Sequence, residues 1–151
     1  MRKLFILSFV CIILLAGCSK KKYFTCEINL DNNIQNYYLD AKYKVYYKNS
    51  YVTKIEKEEI YISEEEDTLN YFNEYKDLEY LNLNNLYGGT TYNVDLKDNR
   101  VIVNATIDMS LMDIKSMIKN KYIDKDYVVS NKLTTNGIKE LYKSKGATCD
   151  I

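Results

Sequence analysis

"TYNVDLKDNRVIVNATI" (residues 91–107) is the stretch whose reading decides the fold. Tyr92, Val94 and Leu96 alternate with polar residues, and beyond Asp98-Asn99 the alternation resumes through Val101, Val103, Ala105 and Ile107. A period of two marks a strand with one buried face. A two-residue turn at Asp98-Asn99 sets Leu96 opposite Val101, Val94 opposite Val103 and Tyr92 opposite Ala105. The apolar faces then coincide, as register in a half-buried hairpin requires.

The same pattern recurs upstream. "YFTCEINL" (23–30) places Phe24, Cys26, Ile28 and Leu30 on one face, and "AKYKVYY" (41–47) does so with Ala41, Tyr43, Val45 and Tyr47. Lys48-Asn49-Ser50 reads as a turn into a return strand, "YVTKIEKEEIYI" (51–62). The phase of that strand slips between Ile55 and Ile60, which predicts a bulge or bend near Lys57–Glu59.

Helical signals fill the spaces between strands. In "SEEED" (63–67), Ser63 and Glu66 form a capping box, with Glu64, Glu65 and Asp67 suited to the positive end of a helix dipole. Spread around a helix start, these acids do not converge on one cation. Leu69, Phe72 and either Tyr71 or Tyr75 turn inward. "NLNNLYGGTTY" (82–92) reads as a loop, in which Gly88-Gly89 serves a turn or lets backbone approach a ligand. "SLMDIKSMIKNKY" (110–122) predicts a helix capped by Ser110, with Leu111, Ile114, Ile118 and Tyr122 as its stripe and Met109, Met112 and Met117 as core filler. Asp124 and Asp126 flank a turn and "YVVS" (127–130) is a short strand. Thr134 or Thr135 opens a last helix through Ile138, Leu141 and Tyr142 that ends at Gly146. The sum is one α+β domain, a two-layer sandwich with an antiparallel sheet of about five strands and two or three helices on one face.

Residues 1–22 tell a different story. Arg2 and Lys3 precede an apolar run, Leu4–Leu15, of about 12 residues, which fits an export signal and falls short of the roughly 20 a spanning helix needs. The run closes on Leu15-Ala16-Gly17-Cys18, which resembles the bacterial lipobox. That resemblance implies diacylglyceryl transfer to the Cys18 sulfur and cleavage between Gly17 and Cys18. Two acyl chains make a stable anchor, and Lys20, Lys21 and Lys22 suit a tether against anionic headgroups. A plain cleaved signal or a short anchor helix, with Cys18 incidental, is the alternative. The expected organisation is a signal over 1–17, a lipidated cysteine and basic tether over 18–22, and a single domain over 23–151.

Composition bounds the chemistry. The 151-residue chain has 21 basic and 21 acidic residues, and loss of Arg2 and Lys3 leaves 19 basic against 21 acidic. A charge near −2 gives no case for nucleic acid as a partner. Histidine is absent, which removes Ser-His-Asp and Cys-His catalysis and His-ligated zinc. No cofactor or metal is implied. The 16 tyrosines invite a carbohydrate-stacking surface, although an AT-rich codon bias and ordinary core use account for them too. Of four cysteines, Cys11 leaves with the signal and Cys18 carries lipid, so Cys26 and Cys149 remain. In an oxidising compartment they form a candidate disulfide joining the first strand to the tail; two free thiols are the alternative.

A lipobox, "YFTC", the strand pair around "YKVYYKN", a helix, the hairpin running into "ATIDMSLMDIK" and a closing helix together resemble the small YehR-type bacterial lipoproteins. The resemblance implies a two-layer α/β sandwich and carries over no catalytic residues. The Cys26–Cys149 pair and the tail "TTNGIKELYKSKGATC" lie outside it. The expectation is therefore a membrane-anchored extracytoplasmic lipoprotein, held by lipid through acylated Cys18. Its domain is not an enzyme but binds an envelope protein or glycan. A small-ligand or lipid-binding module is the alternative, and a hydrolase using Asp95, Asp108 or Asp113 the third reading.

Overall fold

The hairpin forms in the register its alternation demands. The computed structural model describes residues 22–150; the signal segment, Gly17 and Cys18 lie outside the described residues. Strands β4 (Thr90–Lys97) and β5 (Arg100–Asp108) pair with Leu96 opposite Val101, Val94 opposite Val103 and Tyr92 opposite Ala105. Asp98 and Asn99 both take positive φ, 48° and 57°, the mirror-image turn that matches strand twist. Asn49 and Ser50 do the same between β2 (Tyr37–Lys48) and β3 (Tyr51–Ile62).

β1 (Lys22–Asn32) completes a meander with β2 and β3. After β3, helix α1 (Glu66–Tyr87) crosses the sheet to β4 at its edge, and β5 returns between β4 and β3. Helix α2 (Ile114–Lys119), a 3-10 turn (Lys125–Tyr127), a small hairpin of β6 (Val128–Val129) and β7 (Lys132–Leu133), and α3 (Thr135–Ser144) follow. β8 (Thr148–Cys149) then pairs with β1. The result is a six-stranded antiparallel sheet in the order β4-β5-β3-β2-β1-β8. With three helices it makes the expected α+β two-layer sandwich.

Several local expectations need correction. The bulge is in β3 but lies at Thr53, where pairing shifts from Tyr46–Lys54 to Tyr47–Val52 and the Thr53 hydroxyl donates to the Tyr46 carbonyl. Beyond it Ile55, Lys57, Glu59 and Tyr61 share one face without a slip. The expected loop over 82–92 is helix as far as Tyr87, because Leu83 and Tyr87 continue the buried stripe of Leu69 and Tyr80. Burial of that stripe outweighs the weak helix propensity of asparagine. Only Gly88-Gly89 turns: a Cβ on Gly89 would stand 2.7 Å from the Asp108 carbonyl, so the pair serves close backbone approach within the fold.

Caps also differ. Glu65 occupies the cap position of α1, while the Ser63 hydroxyl donates to the Asn36 carbonyl and accepts from the Glu65 amide. α2 begins at Ile114 with Asp113 as its cap, accepting from the Ser116 amide, and Leu111 is exposed. Ser110 instead donates to Asp108. Thr134 caps α3 as expected and Gly146 follows the helix with φ 88°. Met112 and Met117 are core residues and Met109 packs against them.

Cys26 and Cys149 stand opposite each other in the β1–β8 pair and are joined by a disulfide spanning 123 residues. Closing a loop of that length restricts the unfolded chain by about 5 kcal/mol in the chain-entropy account. Reduction, or the double substitution C26A/C149A, is therefore expected to lower unfolding free energy by about 3–5 kcal/mol. Denaturant titration with and without reductant measures it, and coincident curves would contradict the role given to the bridge.

Candidate functional site

Sheet register brings two charged side chains into the interior. In β3, strict alternation after Thr53 turns Lys57 and Glu59 toward the helices, beside Ile55 and Tyr61. Glu59 sits between Ala41 on β2 and Val103 on β5, and Lys57 between Tyr43 and Ala105. β3 is an inner strand, so neither side chain can escape past an edge. Glu59 is 4% exposed.

The carboxylate is fully engaged. Oε1 accepts from the hydroxyls of Tyr43 at 3.3 Å and Tyr80 at 3.2 Å. Oε2 accepts from the Tyr61 hydroxyl at 3.1 Å and pairs with Lys76 Nζ at 3.2 Å. Four donors fill the acceptor sites a carboxylate offers. Lys76, one turn before Tyr80 on α1, also pairs with Glu79 at 2.8 Å. Burial opposes ionisation of Glu59, but Lys57, Lys76 and the hydrogen bonds from Lys76 and Tyr61 outweigh it and hold the carboxyl below its usual range. Burial opposes the charge on Lys76 as well, and Glu59 overrides it, so the ammonium titrates above the ordinary lysine range. Burial first, and the Glu59 charge second, push the Tyr43, Tyr61 and Tyr80 hydroxyls upward, so all three remain donors.

Lys57 is left over. It belongs to none of the ion pairs among the described residues. Its Nζ lies 5.6 Å from the centroid of the Tyr43 ring and 5.4 Å from that of Tyr80. Burial lowers its pKa; Glu59 pulls the other way and Lys145 adds to the depression. Every fully buried side-chain nitrogen or oxygen among the described residues has a partner. Lys57 makes no hydrogen bond and is only half-buried, so its ammonium is open to solvent. It also lines a pocket of about 50 Å³ between β3, β5 and the α2 and α3 segments. Ile55, Met112, Met117, Ile123, Leu133 and Ile138 are among its apolar walls. Tyr142 of α3 roofs both regions, stacking on Tyr43 at 4.4 Å between centroids. Gly137 brings α3 against the 3-10 turn, where a Cβ would stand 2.5 Å from Tyr127 Cβ.

The carboxylates expected from the sequence are not brought together. Asp95 is exposed on edge strand β4 and accepts from Asn93. Asp108 ends β5 and binds Ser110, whose hydroxyl and amide hold it below the usual range. Asp113 is committed to Ser116 in the same way. Among the described residues no trio of His, Cys, Asp or Glu is placed to hold a metal ion. No helix among them is long and apolar enough to cross a membrane. Sequence reasoning misses Lys57 and Glu59 because charged residues at two inward positions look like a phase slip. The available signal was the unbroken alternation Ile55, Lys57, Glu59, Tyr61.

No protein-family profile matches the chain, and no curated protein sequence does. Two solved structures share its architecture. The NMR structure of Escherichia coli YehR superposes with a TM-score of 0.54 at 15% identity, covering 86% of this chain and 92% of that one. An NMR structure of a protein from Streptococcus pneumoniae TIGR4 gives 0.50 at 12% identity, covering 89% and 88%. At these identities the likeness shows the fold, which is YehR-like.

Removing the Glu59 charge takes from Lys76 one of its two carboxylate partners and from three tyrosine hydroxyls their charged acceptor. Glu59→Gln is expected to lower stability by about 3–5 kcal/mol, and Lys76→Met by less, since Lys57 and three hydroxyls still surround the carboxylate. Because the folded pKa of Glu59 lies below its ordinary 4.5, its stabilisation is complete above that value and is lost as pH falls through the folded pKa. Thermal melts from pH 7 to pH 3 check this: below about pH 4.5 the wild type should decline more steeply than Glu59→Gln. Parallel slopes would refute the assignment.

Proposed function

We propose that this chain is a lipid-anchored protein of the bacterial envelope, facing away from the cytoplasm, whose domain is a non-catalytic binding module for a small ligand. The observation that carries the binding half is the apolar pocket, whose walls include Met112, Met117, Ile123 and Leu133 with Lys57 and Lys145 beside them. Apolar walls with a few polar groups are a feature of small-ligand sites, and at about 50 Å³ this pocket admits only a very small molecule. Glu59 offers no free lone pair for proton transfer, since all its acceptor positions are taken. That favours binding over carboxylate catalysis.

The anchoring half rests on the lipobox at residues 15–18 and on the Cys26–Cys149 bridge, a bond that persists in oxidising compartments. Since β1 begins at Lys22, the tether from Cys18 is only a few residues long and would hold the domain against the bilayer. A second reading, an envelope protein or glycan as partner, is favoured by the outward face of α1, where Tyr71, Tyr75, Leu78 and Leu86 are all exposed.

Intact mass of the membrane-extracted protein tests the anchor. The expected species starts at Cys18, carries a diacylglyceryl group and shows two alkylatable thiols only after reduction. An unlipidated chain, or one retaining residues 1–17, would overturn it. For the second reading, a photo-crosslinker at Leu78 should capture a reproducible neighbour in intact cells, where one at Lys145 does not.

A further inference from the structure

Charge is distributed unevenly along the strands. Lys22, Lys54 and Lys48 of the β2–β3 turn stand at the end where β1 begins, and Lys132 Nζ lies 5.5 Å from the centroid of the Tyr51 ring there. Asp108, opposite Lys54, is taken up by Ser110, and Glu56 by Lys54. The segment between β5 and α3 joins this end through Met109, whose amide donates to the Thr53 carbonyl, and Thr134, bridged to Tyr51. Residues 109–134 carry five lysines against three aspartates. The opposite end is acidic: Asp31, Glu64, Glu65, Glu66, Asp67 and Asp98 outnumber Lys97 and Arg100. Exposed apolar side chains occur at both ends, Leu111 at the first and Ile34 at the second, so charge is what distinguishes them.

Chain length and charge together limit how such a domain can sit on a bilayer. From Cys18 to Lys22 is a reach of at most about 14 Å. The 11 residues of β1 then extend about 36 Å to the acidic end. At physiological salt the field of a charged surface fades within about 8 Å. An upright domain therefore sets its lysines inside the headgroup field and its acids outside it. The two broad faces are unsuited to the same contact. Across its middle rows the outer sheet face sets Glu27, Asp40, Glu56 and Glu58 against Lys42 and Lys44. On the other face, α1 carries Glu66, Asp67, Glu74, Asp77 and Glu79 against Lys76.

We propose that the end of the domain at which β1 begins docks on anionic phospholipid headgroups, so that the sheet stands upright on the membrane. Lys22, Lys48 and Lys132 meet phosphate, and Tyr23 and Tyr51 set their amphipathic rings at the interface. This rests on the lipid-anchored reading and adds which surface is held to the bilayer and by what lipid chemistry.

The chain has no tryptophan, so one placed at Leu111 or Ile34, 68% and 94% exposed, reports position without disturbing the core. The membrane-extracted mature protein carrying Leu111→Trp or Ile34→Trp is inserted into preformed phosphatidylcholine vesicles holding a headgroup-nitroxide lipid, with and without phosphatidylglycerol. Phosphatidylglycerol is expected to raise quenching of Leu111→Trp at least about twofold over that of Ile34→Trp, and about 1 M salt to abolish the gain. Lys48→Glu with Lys132→Glu, both at exposed positions, should abolish it too while leaving thermal unfolding unchanged. Equal quenching of the two reporters with phosphatidylglycerol present, or a gain that survives the charge reversal, overturns the docking and leaves the anchored reading standing. An extracted chain without an acyl group that vesicles do not retain overturns both.

Discussion

A carboxylate buried at the centre of the sheet, Glu59, is the constraint on which the rest of the structure depends. Its four partners come from three elements: Tyr43 from β2, Tyr61 from β3, and Lys76 and Tyr80 from α1. Each is delivered only if its element is in register. A one-residue slip of β2 on β3 would turn Tyr43 to the outer face, and a quarter turn of α1 would withdraw Lys76 and Tyr80 together. Well-packed apolar residues of similar volume would hold this core as firmly or more so, since desolvating two charges consumes most of what their attraction returns. What the cluster adds is discrimination. Apolar side chains tolerate small shifts in how α1 lies on the sheet, whereas an unsatisfied buried carboxylate does not.

The disulfide acts on the same centre from the side. Cα partners run across the sheet in one row from Cys149 through Cys26, Tyr43, Lys57 and Ala105 to Tyr92. β8 is two residues long and could not hold itself against β1 by two pairings alone. The bridge fixes it, and β8 in turn fixes the end of α3 a few residues upstream. α3 carries Tyr142, which covers Tyr43, and Leu141 and Ile138, which close the pocket. The bond at the sheet edge is thus part of what keeps the polar cluster dry.

Much of this architecture was legible in the residues because local pattern and tertiary burial agree. In the 91–107 hairpin the alternation, the Asp98-Asn99 turn and the coincidence of apolar faces all point one way, and the observed pairing follows residue for residue. The cysteine pairing was readable from counting, once one cysteine is assigned to the signal and one to lipid. Reading failed where burial contradicts polarity. Asn82, Asn84 and Asn85 suggested a loop, yet Leu83 and Tyr87 carry α1 to its end, with the Asn84 side chain taking up the Thr90 amide beyond it. Lys57 and Glu59 suggested a disturbed strand, since charged residues at two inward positions have no place in an ordinary core. Their meaning depends on Lys76 and Tyr80, some twenty residues away on another element, and no local window contains both.

That Lys57 is a lysine at all is the remaining question of design. Its neighbours across the sheet are Tyr43 and Ala105, and its surroundings are the apolar pocket and two aromatic rings. A methionine or leucine would fit that setting with no desolvation penalty. Its charge helps to hold Glu59 ionised from a distance, although the four acceptor positions of that carboxylate are filled by other groups. An inward-facing lysine without an ion pair departs from the consistency that folding alone would select, and such departures concentrate at functional sites. The neighbouring Glu59–Lys76 pair shows what a purely structural buried charge looks like in this protein: paired, hydrogen-bonded and closed to water. Lys57 is built differently, half-buried with two rings at its sides and its ammonium open to solvent. The contrast between two lysines of one sheet face, Lys76 saturated and Lys57 without an ion pair, separates the part of the cluster that specifies the fold from the part that only adds charge beside it.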